Sequence, residues 1–286
     1  MIWAILSVLS GFFDAVGFAI LKKLNSINGR LLLFLRYAFT LPFLLAALYF
    51  YDIPQLTPYF YIIMALNITV SLAGTYLMIN SLHNGSMSKS IPMLSFTPVF
   101  LLLVSFVLLG EFPSTIGLIG IIVVVMGSYA INISLAKEGL SKPFMNMFSD
   151  KGTFYMLLVA FLFSLSATFS KIAINLSNPG FYNAFQYTAS SALLLVLFRK
   201  NIFTNKDLVR KHFRVILLLG IATALTELFY SIAVKLDLVA YTISLKRTSV
   251  IFSVILGYFM FREKNFRESI IGASIMLIGA AMILSS

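Results

Sequence analysis

Apolar residues in this chain come in blocks, not in the one-sided stripes of a helix on a soluble protein. Runs of about twenty residues rich in Leu, Ile, Val, Phe and Ala alternate with short polar breaks. A helix that crosses a bilayer needs roughly 20 apolar residues. Runs of that size fall at 3–21, 31–51, 58–81, 87–109 and 113–133, then at 153–176, 181–198, 213–234, 238–261 and 266–284. The period-two alternation of a membrane β-strand is absent. The pattern therefore predicts an all-α integral membrane protein of ten transmembrane helices. The first run has no basic segment before it and no small-residue cleavage site after it, so it reads as a retained helix.

The breaks combine helix stops with residues suited to helix starts: Asp52-Ile53-Pro54, Gly110-Glu111-Phe112-Pro113 and Asn178-Pro179-Gly180. The hairpins are therefore tight. Two connections read as long, 134–152 and 199–212, and the first carries the only suitable boundary between halves.

The two halves resemble each other. Glu111, Gly120 and Gly127 recur as Glu263, Gly272 and Gly279 at a constant offset of 152 residues. Gly29, Phe34 and Ala38 recur as Gly180, Phe185 and Ala189 at 151, and Lys22 matches Lys171 loosely at 149. An odd number of helices per half makes the second copy enter the membrane in the opposite sense. The prediction is two inverted five-helix repeats at 1–136 and 153–286, joined by a loop at 137–152. The paired glycines, seven apart on one helical face, suit close helix packing.

Composition narrows the class. Of 286 residues, 60% are hydrophobic and 11% charged, against about 25% charged in soluble proteins. With no cysteine, disulfides and thiolate chemistry are excluded. The net charge of +11 does not point to nucleic acid, because Lys and Arg gather in short loops beside apolar runs. The expected partners are the lipid bilayer and a small-molecule substrate, with monomer and homodimer both open. The expected location is the cell membrane, with multiple passes.

The segment Ser95-Phe96-Thr97-Pro98-Val99-Phe100, running on to Leu109-Gly110-Glu111 and Gly120, resembles a signature of the drug/metabolite transporter superfamily, EamA type. So does the second copy, from Leu245-Lys246-Arg247-Thr248-Ser249 to Arg262-Glu263-Lys264. The similarity covers essentially the whole chain. It implies alternating access around a central cavity between the halves, and it leaves the substrate open. It also implies, more often than not, termini on the cytoplasmic side. The charges point the other way: sixteen of 21 basic residues fall at odd-numbered connections and only Lys235 at an even one, which places the odd connections in the cytoplasm.

Four basic residues remain for the membrane, Arg36, Lys171, Lys246 and Arg247, with two acids, Asp14 and Glu227. A charge at the bilayer centre costs about 2.5–3.5 kcal/mol on insertion scales, so each should face protein or water and find a partner. Lys246 and Arg247 lie roughly 12 Å into the ninth run at 1.5 Å per residue, too deep to snorkel easily. This pair resembles that of the plastid triose-phosphate translocators, which implies a grip on phosphate or carboxylate. Glu227 is a candidate partner for Lys246 or Arg247 and a candidate proton carrier. Asp14 is expected to pair with Lys22 or with a cation from another helix, and Lys171 to share a structural position with Lys22. Arg36 divides between cavity and headgroups. Gln186 and Tyr230 are candidates for the cavity wall, as is Tyr187. Glu111 and Glu263 precede helix starts and suit capping there.

An enzyme needs a constellation that this chain lacks. The two histidines, His83 and His212, lie near loop ends without a metal-binding spacing, and no phosphate loop or Gly-x-Ser-x-Gly elbow occurs. No catalytic residue, metal or cofactor is expected. The sequence predicts a secondary carrier or exporter of a small metabolite, with an anionic or zwitterionic substrate favoured by the charge balance. Proton coupling and exchange are both open. The alternatives are a channel-like or structural membrane protein and, further off, a membrane-embedded enzyme.

Overall fold

The computed structural model describes residues 1–84, 90–130, 151–261 and 266–285. The connecting loop at 137–152 falls largely outside them, as do Lys89, Arg262, Glu263 and Lys264. The first three spans are Ile2–Lys23, Gly29–Leu48 and Pro58–Asn84. The fourth is a 3₁₀ turn, Ile91–Phe96, continued by the α-helix Thr97–Leu109, and the fifth is Thr115–Ala130. In the second half come Lys151–Asn175, Pro179–Thr204 and Phe213–Leu236, then a ninth span in two pieces, Val239–Lys246 and Ser249–Phe261, and a tenth, Phe266–Leu284.

Among the described residues, six helices are long and apolar enough to cross a bilayer, the broken ninth span included as Val239–Met260. The fourth, fifth and tenth contribute shorter apolar stretches. The seventh has the length, but Asn183, Gln186, Ser190 and Ser191 lower its hydropathy, and all four are buried. Polarity is distributed inside out. Leu103, Val107, Val196 and Phe259 face outward at 72–76% exposure, while Ser10, Thr40, Asn67 and Ser231 are fully enclosed. Many buried hydroxyls are satisfied by their own helix, as where Thr40 Oγ1 donates to the Arg36 carbonyl at 2.7 Å and Thr226 Oγ1 to the Ala222 carbonyl at 2.9 Å.

The inverted repeat is visible in which helices touch. Extensive contacts join, among others, the fifth span to the tenth, the third to the sixth, the first to the eighth and the second to the seventh. An axis that exchanges each span with the one five places later maps the first and last of these pairs onto themselves. It maps the other two onto each other. The fifth and tenth spans cross antiparallel on their glycines. A Cβ on Gly120 would lie 2.9 Å from the Gly279 carbonyl oxygen, and one on Gly127 would lie 2.8 Å from that of Gly272, so small residues let the two backbones touch.

Several expectations from the sequence are corrected. The runs at 87–109 and 238–261 are not continuous helices. Both break at the same point of the repeat, since Thr97 and Ser249, where the α-helices resume, are 152 residues apart. Continuous apolar patterning cannot reveal such a break. The connection at 199–212 is not an irregular loop: the seventh helix continues to Thr204 and a six-residue helix, Lys206–Lys211, follows. The second span ends at Leu48, short of Tyr51. Asn28 and Asn178 cap the second and seventh spans with their side chains.

All described even-numbered connections gather at one face. Asn178 Nδ2, between the sixth and seventh spans, donates to the Asp52 carbonyl, between the second and third, at 2.8 Å. The turn after Gly110 approaches the start of the ninth span through Glu111 and Ser114.

Candidate functional site

A cavity of about 100 Å³ lies at the middle of the bundle, between the halves. The sequence candidates Arg36, Gln186, Glu227, Tyr230, Lys246 and Arg247 all line it, together with Asp14. Lys171 and Lys22 do not.

One wall is charged. Asp14, on the first span, comes within 4.0 Å of Lys246 Nζ on the ninth. Its partner is thus a cation from another helix, not Lys22, which lies in the last turn of the first span, roughly 12 Å along the helix from Asp14 at 1.5 Å per residue. Lys246 also sits 4.8 Å above the Tyr230 ring, a favourable place for an ammonium. Arg247 Nη2 donates to Thr97 Oγ1 at 2.9 Å, so the break in the ninth span is tied to the break in the fourth. Among the described residues, Arg247 Nε has no hydrogen-bond partner, and neither has Arg36 Nη1. Arg36 is 9% exposed and faces the cavity, not the headgroups. Glu227 also faces the cavity, within electrostatic reach of Lys246, Arg36, Asp14 and Tyr187. No ion pair joins it to Lys246 or Arg247 among the described residues, since Asp14 holds the lysine and Thr97 the arginine. It stays partly accessible because it faces the cavity.

The facing wall is neutral and hydrogen-bonded, and the sequence candidates captured little of it. Behind the lining, fully buried Asn67 accepts from Ser166 Oγ at 2.7 Å and donates to Tyr182 Oη at 3.0 Å. Gln186 Nε2 donates to Ser71 Oγ at 2.8 Å, and Ser170 Oγ lies 2.9 Å from Tyr230 Oη. The Tyr37 and Tyr187 rings are tilted by 30° with centroids 4.8 Å apart. A signal was present: Asn67, Ser71 and Thr75 recur every four residues, as do Ser166 with Ser170 and Tyr182 with Gln186, which puts each set on one helical face.

Gly11 was also missed. A Cβ there would lie 2.5 Å from the Lys246 carbonyl oxygen and 3.2 Å from Ser249 N, so the glycine lets the first span press against the break.

Lys171 and Glu111 form a second ion pair away from the cavity, 2.6 Å apart. Lys171 Nζ also donates to the Asp237 carbonyl at 2.6 Å, and Val239 N donates to Glu111 Oε2 at 3.1 Å. Glu111 therefore caps a helix, but it is the ninth and not the fifth. Gly110, at φ 69°, turns the chain by a left-handed step that only glycine takes freely. Ser114 caps the fifth span instead, its Oγ accepting from Gly117 N at 3.1 Å. Glu263 lies outside the described residues. Among those residues, no three His, Cys, Asp or Glu side chains come together to hold a metal.

Ten helical spans in two inverted halves, enclosing a charged cavity at mid-depth, make the architecture of a multi-pass membrane transporter. The chain belongs to the EamA-like transporter family, whose model matches residues 1–133 and again 150–285. Membership implies membrane transport of a small molecule and not catalysis. No curated protein matches the chain. Among solved structures, one crystal structure of a protein superposes with a TM-score of 0.68 at 15% identity, covering 96% of this chain and 95% of that one. That likeness concerns the fold alone.

Proposed function

We propose that the protein is a secondary carrier that moves a small anionic or zwitterionic metabolite by alternating access. The observation that carries this reading is the cavity wall, where Arg36, Lys246 and Arg247 outnumber Asp14 and Glu227 and the groups come from both halves. Transport requires different binding in two states, and a site built from both halves changes shape when they move. Lys246 and Arg247 hold the substrate's phosphate or carboxylate, with Arg36 reinforcing them. Glu227 takes an amine or a coupled proton. Gln186 and Tyr230 orient the remainder through hydrogen bonds. The halves that rock are assigned to 1–136 and 153–286.

Thermal unfolding of the purified protein against phosphates, carboxylates, amino acids and amines tests this. A ligand at 100 times its Kd adds about 2.7 kcal/mol of stability, and the shift should vanish in Lys246→Ala and Arg247→Ala. Shifts equal to wild type in both variants overturn the anion site. Gradient-driven uptake left intact in Glu227→Gln removes the proton role.

A further inference from the structure

The piece Val239–Lys246 is a helix of only eight residues, set off from the rest of the ninth span by the turn at Arg247 and Thr248. One end carries Lys246 and Arg247 into the cavity. The other, roughly 12 Å away at 1.5 Å per residue, is fastened to the first half of the chain. There Val239 N meets Glu111, Glu111 meets Lys171, and Lys171 reaches the Asp237 carbonyl. Two residues on, Tyr241 Oη accepts from Ser114 N at 3.0 Å, and its ring packs against Trp3 and Gly117. Lys171 and Glu111 are 9% and 17% exposed. Together these groups tie the halves to each other at the even-numbered end of the bundle.

We propose that Glu111 and Lys171 are the gate residues of that face. Their ion pair holds the half-helix Val239–Lys246 against the first half and shuts the cavity, and it parts when the cavity opens there. The cluster favours two states over a continuum. Paired and dry, every charge has its partner. Parted, Lys171, Glu111 and Val239 N are all exposed to entering water, which replaces the lost bonds. An intermediate opening would strand a buried charge, which costs more than either end state. Because the gate grips one end of the half-helix and the cavity cations sit on the other, ligand on Lys246 and Arg247 and closure at Glu111 act on one rigid piece. The proposal rests on the transport reading only in taking the cavity as the solute's path.

The absence of cysteine makes this directly measurable. Ala167 is small, buried and part of the cavity wall, so Ala167→Cys reports access from either face to a membrane-impermeant maleimide in proteoliposomes. A separate Ser285→Cys variant, exposed on the even-numbered face, identifies which face the reagent meets. Glu111→Gln keeps an oxygen for Val239 N and loses the charge, while Lys171→Met loses the charge on the other side. Each should raise labelling from the even-numbered face at least about tenfold without raising it from the other. Lys171→Arg should stay near wild type. Labelling unchanged in both neutral variants, or raised equally from both faces, overturns the gate. Labelling that responds as expected in a protein that carries no solute leaves the gate standing and removes the transport reading.

Discussion

Among the described residues, two lysine–carboxylate pairs cross between the halves, and they differ in a way that burial does not explain. Lys171–Glu111 and Lys246–Asp14 are similarly enclosed, at 9%/17% and 11%/10% exposure, yet one pair is 2.6 Å apart and the other 4.0 Å. In the first, the Asp237 carbonyl takes a further donor position of the lysine and Val239 N a further acceptor position of the glutamate. In the second, Lys246 leans over an aromatic ring and a cavity opens beside it. The tight pair has the form of a lock and the loose pair that of a binding site with its own counter-ion in residence. A buried charge is costly when its partner is removed, and less so where water or ligand can reach it.

Glu111→Ala should have the largest effect. It strands Lys171 and uncaps the ninth span, for a loss of about 3–5 kcal/mol, read as a fall in thermal midpoint in detergent. A loss below about 1 kcal/mol would put Glu111–Lys171 on a par with a surface pair. Gly127→Val comes next. It forces the fifth and tenth spans apart at the Gly272 carbonyl and should cost roughly 1–3 kcal/mol without changing the relative affinities of ligands. Tyr241→Phe removes one hydrogen bond at the lock, worth about 1 kcal/mol. The smallest stability change belongs to Asp14→Asn, less than about 1 kcal/mol because Lys246 keeps its place over Tyr230 and beside the cavity. The same substitution should strengthen anion binding several-fold in a thermal-shift titration, since the ligand no longer competes with Asp14. A stability loss as large as that of Glu111→Ala would erase the distinction between lock and site.

Reading the sequence reached the architecture because a bilayer leaves few choices: a helix must satisfy its own backbone, so twenty apolar residues nearly suffice to place it. The repeat was legible through glycines and glutamates, whose spacing is set by backbone contact and helix ends. Partners were not legible. Asp14 could be placed in the membrane, but whether it met Lys22 or Lys246 depended on how the first span packs against the ninth. Glu111 could be read as a cap, but not as the cap of a helix four spans away. The turn at Arg247 and the 3₁₀ segment before Thr97 were hidden because hydropathy does not register a change of hydrogen-bonding pattern. The neutral wall was legible in principle through Asn67, Ser71 and Thr75, whose four-residue spacing marks one face of an otherwise apolar helix.

The central claim is that Lys246 and Arg247 bind what the protein carries, and uptake into proteoliposomes tests it most directly. The ligand that stabilises the purified protein best should enter with saturable kinetics, and Lys246→Ala with Arg247→Ala should abolish that uptake while the protein stays folded. Uptake by the double variant at the wild-type rate, or a wild-type flux that never saturates, would contradict the account.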